Sequence, residues 1–349
     1  MLLRQREPPN TSPLKIEMIA AITGASGYVG LNLASILLNA GHQVRAIDRV
    51  RSPFLDPQAS WVEADILNPL SIRRALEGVD VVFHLVAKIT LAQEDPVAWR
   101  INTEGVRTVA EAALSCQVQR MVHVSSIASF DQNLCNRRLS ETCPRSVDAA
   151  LPVYSRSKYA GELEFLKVVE RGLDGVICYP TGVYGPIDHG TVLSRINAVF
   201  LNAARGKIPA MVAGGFDLVD VRDVAAGLLL ASERGRTGEN YLLGGHYIEM
   251  LDGCRLAARQ LGRAGPRFAI PMGLVQAIAP IVSRLSRNHD QQDNPLSKAA
   301  LDAIATSPTV DRSKAERELG YQPRPLQQTM ADLVAFLVAS GHFKSERAA

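Results

Sequence analysis

Tyr154 and Lys158, four residues apart in YSRSK, are the first pair in this chain with chemistry to share. On a helix that spacing puts both side chains on one face. A phenol with its ordinary pKa near ~10 is a poor acid-base group at neutral pH, and a fixed ammonium beside it stabilises the phenolate. Bringing the phenol to ~7 takes about 4 kcal/mol, much of which one desolvated cation supplies. Tyr-x-x-x-Lys is common by chance and describes an exposed amphipathic helix equally well. Its order in the chain raises it above chance. It follows a β-rich run, RMVHVSS, ending in Ser125-Ser126, where a hydroxyl is placed to hold a substrate oxygen. A simple strand-end cap is the plainer reading of those serines.

A second constellation lies in ITGASGYVG, where Gly24, Gly27 and Gly30 stand three apart between an apolar run and a helical pattern. A helix N-terminus carries free N–H groups and partial positive charge, which suits a pyrophosphate. Glycines let the backbone approach closely and let the helix pack on the strand. A ligand-free strand-helix turn shares this spacing, so alone it is a modest signal. Asp48 strengthens it. It ends the second strand 24 residues after Gly24, close to the ~20 at which a carboxylate meets the adenosine ribose. A carboxylate there accepts from the ribose hydroxyls and repels a 2′-phosphate, which favours NAD over NADP. Arg49 and Arg51, just beyond, are able to hold a phosphate and keep NADP as the lesser alternative. Asp65, in VEADI at the end of the third strand, is a candidate partner for adenine, with a helix cap as its alternative.

The elements that must position these residues alternate. After MIAAIT comes a helix from Tyr28 to Asn39, then strands HQVRAID and SWVEADI, a helix NPLSIRRALEG bounded by Pro69 and Gly78, and strand DVVFHLVA. One long helix over VAWRINTEGVRTVAEAALSCQ, strand RMVHVSS, helix SRSKYAGELEFLKVVERG and strand GVICYP follow. This alternation predicts an α/β fold, a Rossmann-type doubly wound parallel sheet covered on both faces, with a smaller C-terminal substrate lobe. Ligands of such sheets bind at the carboxyl ends of the strands. The glycine loop, Asp48, Asp65, HLVA, VSS and YPTGVYGP are therefore expected along one edge. Residues 18–180 are read as the dinucleotide-binding domain, its sheet completed by about 216–246. Residues 181–215 and 247–340 are read as the substrate lobe. DRSKAERELGYQPRPLQQTMADLVAFLVAS reads as two helices flanking a Pro-rich loop.

Composition excludes several classes. Of 349 residues 47% are hydrophobic and 21% charged, an ordinary globular balance, and the net charge of +3 is spread without the basic stripe of a nucleic-acid binder. Five cysteines without C-x-x-C spacing argue against a disulfide framework or a zinc site and for a reducing, cytoplasmic setting. Residues 1–17 read as a disordered leader, neither signal peptide nor membrane span, and Met18 is itself a candidate start. No run of ~20 apolar residues predicts a spanning helix. The nearest, residues 268–287, is broken by Pro271, Pro280 and arginines and reads as helices lining an apolar cleft.

The ordered set TGASGYVG, Asp48, EADILN, HLVA, NTEG, VSS, YSRSK, PTGVYGP, LVDVRDVAAG and DRSKAERELGYQP resembles the extended short-chain dehydrogenase/reductases, of the NAD-dependent epimerase/dehydratase superfamily, over about residues 18–338. The resemblance implies that Tyr154 is the acid/base and that Lys158 binds the nicotinamide ribose and lowers the tyrosine pKa. Ser126, or failing it Ser125, would orient the substrate. It places cofactor contacts on Gly24, Gly27, Tyr28, Val29, Asp48, Asp65, Ile66, Leu85, Val86, Ala87, Tyr154, Lys158, Pro180 and Val183. It also makes a homodimer possible, through helices at 97–116 and 156–171.

Within that family the stretch 204–245 is similar to dihydroflavonol-reductase-like and 3β-hydroxysteroid-dehydrogenase-like proteins and to hopanoid-associated epimerases. Sugar-nucleotide members usually carry an arginine where this chain has Phe216, so a diphosphate grip is missing unless Arg222 or Arg195 supplies it. The expectation is an NAD(P)-dependent oxidoreductase acting on a small, apolar secondary alcohol or ketone. A sugar or sugar-nucleotide epimerase/dehydratase and a non-catalytic nucleotide-binding regulator are the alternatives.

Overall fold

The computed structural model describes residues 17–190, 192–275, 304 and 307–343. The leader, but for Glu17, and most of the stretch 276–306 lie outside the described residues.

Seven parallel strands form the central sheet, in the order β11-β7-β5-β4-β1-β2-β3. They are β1 (Ile19–Thr23), β2 (Gln43–Asp48), β3 (Ser60–Glu63), β4 (Val81–His84), β5 (Arg120–Val124), β7 (Gly175–Pro180) and β11 (Asn240–Leu243). Every residue of β4 and β7 is buried, because helices cover both faces and leave no strand surface for water. The period-2 pleat divides these side chains between two cores. Ala20, Ile22, Val122, Val176 and Cys178 pack with α1 (Tyr28–Asn39) and α7 (Val221–Arg234). Ala21, Val82, Met121, Ile177 and Tyr179 pack with α2 (Pro69–Leu76), α4 (Glu104–Ser115) and α5 (Val153–Val169).

Local chemistry sets the boundaries. Pro69 sits in the first turn of α2 with Asn68 capping Ser71 N–H, and Gly78 turns the chain beyond it at φ +70. The long helix expected over 97–116 is two helices, α3 (Pro96–Asn102) and α4. The break is at Thr103, whose φ of −117 departs from the helical value, while its hydroxyl and its N–H both donate to Trp99 O, at 2.7 and 3.0 Å. Asn102 there turns inward and is buried.

The return to the sheet is also split. β11 joins beside β7, but β10 (Gly215–Asp220) pairs with β8 (Gly182–Tyr184) and β12 (His246–Glu249) in a separate three-stranded sheet. A third core lies there, where Tyr184, Phe200 and Leu218 meet α6 (Arg195–Ala204), α8 (Met250–Arg259) and the helix Leu326–Ala339. Residues 268–270, expected as helix, form strand β13 on β9 (Ala210–Val212). The remainder of that stretch from residue 276 lies outside the described residues. The helices Ser313–Leu319 and Leu326–Ala339 flank the Pro-rich loop as read.

Candidate active site

The sheet order reverses direction at β1, with β4 on one side and β2 on the other, and a crevice opens at such a switch point. Gly24 follows β1 with φ +82, and a Cβ there would lie 3.2 Å from Val86 Cγ2 and from Val86 N. Gly30 is tighter, since a Cβ would fall 2.3 Å from Gly24 O. The helix that follows, α1, starts at Gly27 with no side-chain cap and no acidic residue in its first turn. Its amide end suits an anion.

Beside it a cleft is lined by Ile47, Asp48, Arg49, Ala64, Asp65, Ile66, Leu67, Val86 and Ile101. Asp48 accepts from Ser26 N at 3.1 Å and Arg49 N at 2.8 Å, which holds its carboxylate between the glycine loop and the cleft. Asp65 accepts from Leu67 N at 2.9 Å, while Asn68 caps the next helix. An apolar slot with a carboxylate at its mouth, joined to an uncapped helix end, fits the adenosine and pyrophosphate of a dinucleotide. Leu85 continues from β4, its N–H donating to Thr23 O at 3.0 Å, and Ala87 lies two residues beyond on the same connection. Pro180 ends β7, and Val183 on β8 packs against the core of the α1 face.

Tyr154 lies in the first turn of α5, which starts at Val153, two residues before the pattern SRSKYAGELEFLKVVERG began it, and Lys158 follows one turn later. Lys158 is buried and Tyr154 half-buried, both at the carboxyl end of β5. Lys158 Nζ donates to Val124 O at 2.9 Å. Burial pushes its pKa down to about 7. Burial also raises the Tyr154 phenol, opposed by a hydrogen bond with Ser126. Ser126 is thus the serine that meets Tyr154, and its Oγ accepts from Ala128 N at 3.1 Å. Ser125 is committed elsewhere, its hydroxyl donating to Glu162 Oε1. The two neighbours diverge because adjacent residues at a strand end project to opposite sides. The Tyr154 phenol beside Ser126, and Lys158 Nζ on Val124 O, lie on the same sheet edge as the glycine turn.

Three features escaped sequence reasoning. Asn102 accepts from Lys88 N at 2.9 Å and donates to Lys88 O at 3.1 Å and Ser157 Oγ at 2.9 Å, behind Tyr154. His84 and His123 lie in register on β4 and β5 with ring centres 5.6 Å apart. Burial holds both neutral, with His84 pushed down to about 3. Glu162 also binds Arg145 and Tyr179. Glu162 had a local signal, since it continues the Tyr154–Lys158 stripe by one more turn. Arg145 had none. Arg222, considered as a diphosphate grip, is spent on Asp220 at 2.6 Å and Asp332 at 2.8 Å.

The doubly wound sheet thus carries the glycine turn, Tyr154, Ser126 and Lys158 on one edge. The chain belongs to the NAD dependent epimerase/dehydratase family, whose model matches residues 20–244. A Synechocystis sp. protein provisionally named dihydroflavonol 4-reductase is 31% identical over 337 residues, 93% of this chain and 96% of its own. Sterol demethylase protein B of Methylococcus capsulatus is 31% identical over 329 residues, 93% of this chain and 99% of its own. A Mycolicibacterium neoaurum protein named 3-beta-hydroxysteroid dehydrogenase is 27% identical over 336 residues, 90% of this chain and 90% of its own. The crystal structure of gox2253 superimposes with a TM-score of 0.78 at 31% identity, covering 93% of this chain and 99% of the other. Like these relatives named as dehydrogenases and reductases, the chain is an enzyme of the NAD-dependent family. Among the described residues no helix is long and apolar enough to cross a membrane.

Proposed function

We propose that this protein is an NAD-dependent oxidoreductase that interconverts a secondary alcohol and a ketone on a small apolar molecule, a sterol, terpenoid or aromatic compound. The observation that carries the reading is the placement of Tyr154, beside Ser126, and of Lys158, one helical turn on and bound to Val124 O, at the carboxyl end of β5, on the edge that holds the glycine turn. Gly24, Gly27, Tyr28, Val29, Asp48, Asp65, Ile66, Leu85, Val86, Ala87, Pro180 and Val183 would hold the dinucleotide, which supplies the hydride when bound. In reduction, Ser126 orients the carbonyl oxygen. Tyr154 gives that oxygen a proton as hydride reaches the carbon, so the ketone gains one hydride and one proton. Lys158 stabilises the phenolate left behind.

Asp48 at the mouth of the cleft supports NAD over NADP. Apolar substrate chemistry is supported by Phe216, which packs on the third core where sugar-nucleotide enzymes place an arginine, and by the engagement of Arg222 within the protein. A sterol-related relative agrees with it. Residues 181–215 and 247–340 are the proposed substrate lobe. Five free cysteines support a reducing compartment such as the cytoplasm. A homodimer through residues 97–116, which form α3 and α4, and 156–171 of α5 and its end belongs to the same proposal.

The test is a panel of steroid, terpenoid and aryl ketones and alcohols with NADH, NAD, NADPH and NADP, followed by absorbance of the reduced cofactor. Turnover of an apolar member with NADH is expected. Epimerisation of a sugar nucleotide with no net NADH change would replace this reading with the epimerase alternative.

A further inference from the structure

Glu162 is almost completely buried, a carboxylate set one turn past Lys158 on the helix that carries Tyr154. Its two oxygens face three different parts of the chain. Oε1 accepts from Ser125 Oγ at the end of β5. Oε2 accepts from Tyr179 Oη on β7 at 2.9 Å and pairs with the Arg145 guanidinium. Arg145 in turn donates to Tyr179 Oη at 3.0 Å. It lies over the ring of Phe130 at 4.0 Å and near those of Tyr159 and Tyr179 at 4.8 and 5.2 Å. Phe130 pairs with Arg145 in an antiparallel bridge, Asp131 N donates to Pro144 O, and Ser146 N donates to Ser129 O. The loop from Ser125 to Ser146 is therefore closed on itself, and both of its ends are bound to one carboxylate. Ser126 is the first residue inside that closure.

We propose that Glu162 is a positioning residue for the catalytic group: through Ser125 and Arg145 it fixes the loop that aims Ser126 at Tyr154. This rests on the oxidoreductase reading of the site. A buried ion pair is a weak device for stability, since well-packed apolar groups do as well. Its directional bonds hold a geometry that apolar packing leaves looser. The arrangement is economical because Tyr154, Lys158 and Glu162 project from one stripe of one helix. Proton donor, ammonium and anchor of the orienting serine are then carried by a single rigid element, and the carbonyl is held where the phenol can reach it.

Ser125→Ala removes the Oε1 contact and touches neither Ser126 nor Tyr154. Its expected effect is a kcat for ketone reduction lowered about tenfold, with NADH affinity and ketone KM within about twofold of wild type. Hydrogen exchange of the Ala128 amide, which donates to Ser126 Oγ, is expected to rise about tenfold while the melting temperature falls by no more than about 3 °C. Ser125→Thr, which keeps the hydroxyl, should restore both kcat and Ala128 protection. Glu162→Gln should share the kcat loss of Ser125→Ala. Wild-type kcat and wild-type Ala128 exchange in Ser125→Ala would overturn the proposal. A wild-type protein that binds NADH yet reduces no ketone overturns the oxidoreductase reading alone. Ala128 exchange then still decides the anchor, rising in Ser125→Ala if Glu162 holds Ser126 and staying at the wild-type rate if it does not.

Discussion

Lys158 and Tyr154 show how burial both prepares and burdens a reactive pair. The phenol is raised and the ammonium lowered to about 7, both through lost hydration. The cost to folding has a sign that pH can reveal. Lys158 has an ordinary pKa of 10.5 and a folded one of about 7. Between those values the unfolded chain holds a proton that the folded chain has released. Stability contributed by this group therefore rises with pH across that window and is lowest below it. Lys158→Met removes the penalty, so its stabilisation over wild type should be greatest near about pH 6 and shrink toward about pH 10 in denaturant titrations of ligand-free protein. A pH-independent difference would show that the amine is not desolvated. Tyr154→Phe should lose at least about a thousandfold in turnover while binding NADH as wild type does, because it removes the proton donor and no cofactor contact of comparable size. Retained turnover would reject Tyr154 as the acid.

Secondary-structure elements set the reach of these side chains. The third glycine lets α1 press on the turn that follows β1. Gly30→Ala would drive a methyl group against Gly24 O and Ala25 Cα. We expect about 1–3 kcal/mol of destabilisation and about a tenfold weaker NADH affinity, read by thermal melting and cofactor fluorescence. An unaltered affinity would show that the turn does not hold the dinucleotide. Helix α5 is seated in the same manner, since a Cβ on Gly161 would lie 2.0 Å from Asn102 O. That contact is where α3 ends, so the break at Thr103 and the seat of the Tyr-Lys helix are one feature. The helical period of the sequence showed neither, because both depend on which carbonyl the neighbouring helix presents.

At the scale of the molecule the two parts of the chain are joined beside the cradle. Tyr28, in the first turn of α1, donates to Gly185 O at 2.7 Å, and Asn197 of α6 donates to Gly185 O and Asp188 Oδ2, both at 2.9 Å. The glycine turn and the proposed substrate lobe therefore share a hydrogen-bonded joint. Tyr28→Phe should cost about 1 kcal/mol, and Asn197→Ala more, because it removes three donated bonds and leaves Gly185 N, which donates to Asn197 Oδ1, without a partner. Urea unfolding measures both; equal costs would show that the joint is not a network.

The amino-acid sequence by itself determined the alternating elements, the glycine turn, Asp48 at the end of the second strand and the Tyr154–Lys158 stripe. Each is written in neighbours: hydrophobic period, turn residues, and spacing along one helix. Only the tertiary structure decided that Ser126 rather than Ser125 meets the phenol, that β10 leaves the main sheet for β8 and β12, and that Arg145 lies against Glu162. Those outcomes depend on partners brought together across the sheet, and a buried hydrogen bond or ion pair leaves no periodic mark in the residues that form it.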